Sequence, residues 1–192
     1  MDWIDQFKDQ KEMAVERWKI HLEEGKADEE VVPLVREINS KENFYTTSSC
    51  AGRVVIMKIP DPGRKEDAEF LKKWHREIKL KELLDGLRDH KNIKNKWIIF
   101  NPPIFHIGSR TLEDAYKITQ LGIQSGFKNS GIRSVTNKKI ITQIISTEGL
   151  DVPFSDSFTD DYLRDLKDNL NFMLRRSRDK MTDFKSKIED LD

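Results

Sequence analysis

The stretch from Phe44 to Ile59 constrains this chain most. Phe44-Tyr45-Thr46-Thr47 is aromatic and β-branched, and Val54-Val55-Ile56-Met57-Lys58-Ile59 is mostly apolar. Between them stands Ser48-Ser49-Cys50-Ala51-Gly52-Arg53, small in every position but the last. Aromatic and β-branched runs suit a pleated, half-buried surface, and a small-residue break containing glycine marks a turn. The pattern predicts two strands joined as a hairpin. Gly52 can take positive φ, and its small neighbours let another backbone or a ligand approach closely. Arg53 opens the second strand with a planar fork suited to a carboxylate or phosphate. The same residues also fit an ordinary hairpin whose hydroxyls bond their own backbone, and both readings stay open at this point.

Upstream, Trp3, Ile4, Phe7, Val15, Trp18 and Leu22 recur near helical spacing, so residues 3–24 are predicted as a helix with Gly25 as its C-cap. Asp28 can cap a second helix whose apolar face is Val31, Val32, Leu34, Val35 and Ile38, ending at Asn39-Ser40. Pro33 falls in its first turns, where a missing N–H costs least.

Pro60-Asp61-Pro62-Gly63 reads as a turn. The apolar residues from Phe70 to Leu87 fit either one long helix or a short strand through Trp74-His75 followed by a helix near 79–90. Trp97–Phe100 and Ile104–Ile107 read as strands interrupted by Asn101-Pro102-Pro103. Thr111 is placed to cap a helix over Leu112–Gln124 that stops at Ser125-Gly126. Strands follow from Gly131 and over Ile140–Ile145, then a linker at Asp151-Val152-Pro153-Phe154. A highly charged helix runs from Asp160 to about Leu191.

This order predicts a mixed α/β fold with a largely antiparallel sheet, flanking helices and a long C-terminal helix. Residues 1–155 are expected to form a single domain, with 156–192 packed on it or on a partner. No GxGxxG or GxxxxGK[ST] occurs, which argues against a Rossmann or P-loop nucleotide site. One cysteine and four histidines, none at zinc spacings, give no metal site. Basic and acidic residues balance at 34 each, so any anion must be held by a local patch. A single cysteine, no apolar run of membrane length and no signal-like N-terminus are read as those of a soluble cytoplasmic protein. The oligomeric state is not fixed by the sequence.

Several residues could carry chemistry. His75 and His106 are candidate bases, although a lone strand histidine commonly serves structure. Cys50 could be a nucleophile if a neighbouring cation lowers its pKa, or simply a small buried hydrophobe. Ser130-Gly131, ahead of a strand, could form a backbone nest for an anion. Arg88, Lys91, Lys94 and Lys96, with Trp97 beside them, could track phosphates, or could form a solvated basic loop.

Taken together, Ser48–Arg53, Lys73-Trp74-His75, Pro103-Ile104-Phe105-His106, Gly126–Ile132 and Asp151-Val152-Pro153 resemble, in order, the motifs of the tRNA wybutosine-synthesizing protein 3 family. They span roughly residues 28–155, and Ala51 stands where family members often have serine. The resemblance implies an unusual α/β fold, a strand ending at Trp74-His75, and methyl transfer from S-adenosylmethionine to N4 of a demethylwyosine-type base beside the anticodon of phenylalanine tRNA. It implies catalytic roles for Ser49, Arg53, His75 and His106, cofactor contacts at Gly52, Ser130 and Gly131, and a substrate contact from Trp74, to which the basic run adds Arg88, Lys94 and Lys96 as expected phosphate contacts. A non-catalytic RNA-binding module and a cysteine-nucleophile enzyme built on Cys50 are the competing readings.

Overall fold

A computed structural model of the chain describes residues 3–60 and 68–191. Apart from Pro60, the turn expected at 60–63 lies outside them. The elements are α1 (Trp3–Glu23), a single 3-10 turn (Glu29–Val31), α2 (Val32–Ser40), β1 (Phe44–Cys50), β2 (Arg53–Lys58), β3 (Glu69–Trp74), α3 (Leu80–Asp89), β4 (Lys96–Asn101), β5 (Ile104–Ser109), α4 (Leu112–Gln124), β6 (Gly131–Val135), β7 (Ile140–Ile145), β8 (Leu150–Pro153) and α5 (Asp160–Glu189). The strands form two four-stranded sheets, β1-β5-β7-β6 and β3-β2-β4-β8, antiparallel at every pairing. The class is therefore mixed α/β with antiparallel sheets, as the element order predicts.

The predicted hairpin does not form. β1 pairs with β5, while β2 pairs with β3 and β4. Ser48-Ser49-Cys50 continues the first strand, and only Ala51-Gly52, with Gly52 at φ +84°, carries the chain from one sheet to the other. Pro102-Pro103 separates β4 from β5 in the same way, at residues that cannot donate to a ladder. Packing of the Cα trace accordingly groups the chain into two compact units. One is Met1–Ala51, Pro103–Thr147 and Ser177–Asp192; the other is Gly52–Pro102 and Glu148–Arg176. The sequence reading drew its single boundary near residue 155 instead.

In the first unit, Phe105, Ile107 and Ile144 of the sheet are buried with Leu34, Val35 and Ile38 of α2, Ile118 of α4, and Met181, Phe184 and Ile188 of α5. Phe127 joins them, its ring 6.3 Å from Phe105 and 5.8 Å from Phe184. α1 ends in a Schellman arrangement, with Lys26 N donating to His21 O and Gly25 N to Leu22 O while Gly25 holds φ +65°. Its Phe7 packs on Tyr45, whose hydroxyl donates to Gln10 Oε1 at 2.8 Å. Burial raises the pKa of that phenol and keeps it a donor. α4 begins with a reciprocal cap: Asp114 N donates to Thr111 Oγ1, and Thr111 N to Asp114 Oδ2.

In the second unit, Val54, Ile56, Ile98 and Phe100 of the sheet are buried against Ile78, Leu83 and Leu87 around α3 and Leu163, Leu166, Leu170 and Leu174 of α5. Asn171 binds both backbone groups of Ile78 at 2.9 Å. The segment after Phe70 is a strand followed by a helix. The segment expected as a linker is instead β8, paired from Trp97↔Pro153 to Phe100↔Leu150. Leu150 and Val152 pack against the core, and that apolar alternation makes it a strand.

Candidate active site

The first unit's sheet presents one row of polar groups across its four strands. Ser48 of β1 pairs with His106 of β5, His106 with Gln143 of β7, and Gln143 with Gly131 of β6. Residues paired in register share a face, so these four lie side by side. A bulge at Thr47 creates the row: it shifts register between Thr46 and Ser48, bringing Ser48 rather than Thr47 opposite His106. The neighbours Phe105 and Ile107 point the other way, into the core.

The side chains are linked. Ser48 Oγ lies 2.7 Å from His106 Nδ1, and Gln143 Oε1 lies 3.2 Å from His106 Nε2. One neutral tautomer satisfies both contacts. Nε2–H donates to the amide oxygen, and Nδ1, free of a proton, accepts from the serine hydroxyl. Thr47 Oγ1 donates to the carbonyl of His106 at 3.2 Å and ties the bulge to β5. Gly131 closes the row with open space, since a Cβ added there would meet nothing within 4 Å. On the neighbouring rung, the Tyr45 ring lies over Gly108, where a Cβ would come 2.3 Å from its Cζ. Chemically, the row is a hydroxyl backed by an oriented base.

The expected site residues are distributed as follows. His106 and Gly131 belong to the row. Ser49 is on the same strand but opposite Phe105, on the other face. The Ser130 hydroxyl is committed, donating to Phe127 O at 2.6 Å and accepting from Ile145 N at 3.1 Å. Cys50 ends β1 opposite Ile104, half-buried.

Gly52, Arg53, Trp74, His75, Arg88, Lys94 and Lys96 belong to the second unit. There Arg53 stacks its guanidinium 4.9 Å from the Phe70 ring centre, and its Nε is buried without a hydrogen-bond partner. Trp74 packs against the core, its ring 3.4 Å from where a Cβ on Gly86 would stand. His75 follows β3 directly. Arg88 and Lys94 are exposed, but Lys96 is 5% exposed, with Nζ donating to His90 O and lying over Phe154. A lysine held that way is turned inward, away from any phosphate.

Sequence reasoning missed two members of the row. Ser48 sits inside the small-residue string, but nothing local distinguishes it from Ser49 until the bulge is known. Gln143 is an ordinary polar residue in an apolar strand, and only pairing with β5 gives it a role.

Comparison with known proteins extends the likeness well beyond residues 28–155. The family described as Methyltransferase TYW3 matches residues 9–190. A Pyrococcus abyssi protein named tRNA(Phe) 7-((3-amino-3-carboxypropyl)-4-demethylwyosine(37)-N(4))-methyltransferase 1 is 41% identical over 195 residues, covering 100% of each chain. A Methanocaldococcus jannaschii protein named as the same kind of methyltransferase is 37% identical, covering 96% of this chain and 98% of its own. The solved structure of a Pyrococcus horikoshii protein superposes with a TM-score of 0.92 at 38% identity over the whole of both chains.

Proposed function

The chain belongs to the TYW3 methyltransferase family, and from that premise we propose that it methylates N4 of 7-(3-amino-3-carboxypropyl)-4-demethylwyosine at position 37 of phenylalanine tRNA. The methyl donor in this reading is S-adenosylmethionine, which when bound supplies a methyl group on a sulfonium that departs without assistance. The chain's own tasks are to align the base nitrogen and to accept its proton. The Ser48–His106–Gln143 row carries this reading.

As the N–CH3 bond forms, the nitrogen must lose its hydrogen. Ser48 Oγ can accept that proton while its own hydroxyl proton passes along the 2.7 Å contact to His106 Nδ1. The imidazolium so formed still donates Nε2–H to Gln143 Oε1, whose dipole favours the charge. The proton then leaves to solvent. His75 and Arg53, both of the second unit, remain the other proposed catalytic residues.

Among the residues expected to hold the donor, Gly131 fits best, because its open surroundings let a ligand reach the backbone. Gly52, at positive φ in the second unit, remains a separate proposed donor contact. Ser130 fits as a brace for the turn beneath Gly131, since both of its hydroxyl interactions are already made. Trp74 remains a proposed contact for the tRNA.

The test is incubation of the protein with labelled S-adenosylmethionine and phenylalanine tRNA carrying the unmethylated base, followed by nucleoside mass analysis. The expected product is one methyl heavier at that nucleoside. Label incorporated elsewhere in the tRNA, or none at all, overturns the assignment.

A further inference from the structure

We propose that the β6–β7 hairpin and the turn before it, through Lys128, Arg133, Lys138 and Lys139, form the surface that grips the RNA backbone. This rests on the tRNA reading above and locates its phosphate contacts away from the run at Arg88–Lys96. From Ala115 to Thr147 the chain has no carboxylate side chain, and its cations there are Lys117, Lys128, Arg133, Lys138 and Lys139. Lys117 pairs with Glu113 at 3.1 Å. The other four are exposed, and among the described residues none of them makes an ion pair. In a chain with no net charge, an acid-free stretch of unpaired cations is a local positive field.

The Arg88–Lys96 run offers less, since acids stand beside Arg88 and only Lys91 and Lys94 are exposed cations clear of them. Asp85 and Asp89 flank Arg88, Asp89 pairs with Lys72 at 3.1 Å, and Lys96 is buried.

The hairpin is also built to present its charges. Thr136 Oγ1 accepts from Lys138 N and Lys139 N and donates to Lys139 O, and Gln10 Nε2 clamps Lys138 O at 2.8 Å. The tip therefore holds a fixed shape before any ligand arrives. β6 is an edge strand, so its outer backbone N–H groups are free of the ladder, and Ile132 and Val135 are exposed along it. A strand with cations, backbone donors and apolar side chains in sequence suits ribose-phosphate chains.

The hairpin is also continuous with the catalytic row. Gly131 begins it and Gln143 pairs with Gly131. Arg133 on β6, and Lys138 and Lys139 past its end, roughly 13 Å of strand from Gly131, can hold nucleotides on one side of a base placed at the row.

The experiment measures tRNA affinity of the full chain against salt. The variant combines Lys128→Gln, Arg133→Gln, Lys138→Gln and Lys139→Gln, and its control combines Arg88→Gln, Lys91→Gln and Lys94→Gln. Neutralising a cation that holds a phosphate should take about 0.7 off the slope of log K against log salt for single-stranded backbone, so the hairpin variant should lose about 3 units. The control should lose less than one. With the hairpin variant, KM for tRNA should rise while kcat at saturating tRNA stays near wild type, and Arg133→Lys alone should keep most of the slope. Matching thermal melts establish that both variants fold, as expected for exposed, unpaired side chains.

If the wild type binds and methylates tRNA but the hairpin variant keeps its slope, or the control loses as much, this inference falls and the methyltransferase reading stands. If the wild type shows neither salt-dependent tRNA binding nor methylation, both fall. If polyglutamate of equal charge competes as well as tRNA, the surface suits an acidic polypeptide and the RNA assignment is overturned.

Discussion

Gln143→Glu is the sharpest probe of the proton path. It replaces the amide oxygen 3.2 Å from His106 Nε2 with a carboxylate of nearly the same shape. Coulomb's law at that distance gives about 1.3 kcal/mol in water and about 5 kcal/mol at an effective dielectric near 20. One pH unit of titration corresponds to about 1.36 kcal/mol. The row lies on a partly open sheet face, so the lower end governs and the shift should be about 1–2 units. A negative neighbour favours the imidazolium, so the proton-free base appears only at higher pH. The ascending limb of kcat/KM against pH should therefore move up by about 1–2 units, with turnover depressed near neutrality and recovered on the alkaline side. Gln143→Leu removes the acceptor without adding charge and should lower turnover without that upward move. His106→Ala should lose roughly 10²–10⁴-fold in kcat and the limb with it. An active Gln143→Glu enzyme with an unmoved limb, or a His106→Ala enzyme that keeps it, refutes proton transfer through His106.

Gly108→Ala should destabilise by about 2–4 kcal/mol, because its Cβ would meet the Tyr45 ring at 2.3 Å and displace a phenol bonded to Gln10. Chemical denaturation with an unchanged m-value checks this, and a loss under about 0.5 kcal/mol contradicts it. Asn171→Ala strands both buried backbone groups of Ile78 and should cost about 2–4 kcal/mol in the same assay; a neutral result would mean that water replaces the amide. The hydrogen bond from Arg76, then that from Lys79 N–H, holds the Glu82 carboxyl at about 2. Its folded pKa is depressed, so its contribution is present above the ordinary glutamate range and is lost as pH falls from there through about 2. Arg76→Ala should return the Glu82 titration, followed by carboxyl-carbon NMR, toward 4.5, and a midpoint still near 2 would exclude Arg76 as the main cause.

What the sequence determined by itself was local. The α1 terminus at Gly25 and the start of α4 at Thr111 rest on backbone bonds between residues a few positions apart, and composition specifies these directly. The long α5 follows from one helical period sustained over its length. The family likeness belongs here too, because it is carried by motif strings in fixed order. Tertiary structure decided everything that depends on which strand lies beside which. A small-residue break containing glycine reads as a hairpin, but β1 and β2 gain more by pairing with separate strands that bury Phe105 and Ile98 in separate cores. Asp151-Val152-Pro153 becomes a strand only because β4 offers it an edge. Lys96 reads as a surface cation, yet a carbonyl and an aromatic ring outside its own strand draw it inward. The Ser48–His106–Gln143 row depends on register above all. One bulged residue at Thr47 puts Ser48 rather than Thr47 opposite His106, because every one-residue slip turns a strand's side chains to the opposite face. Pairing energy is summed over whole strands and cores, so no window of sequence containing Ser48 alone could have placed it against His106.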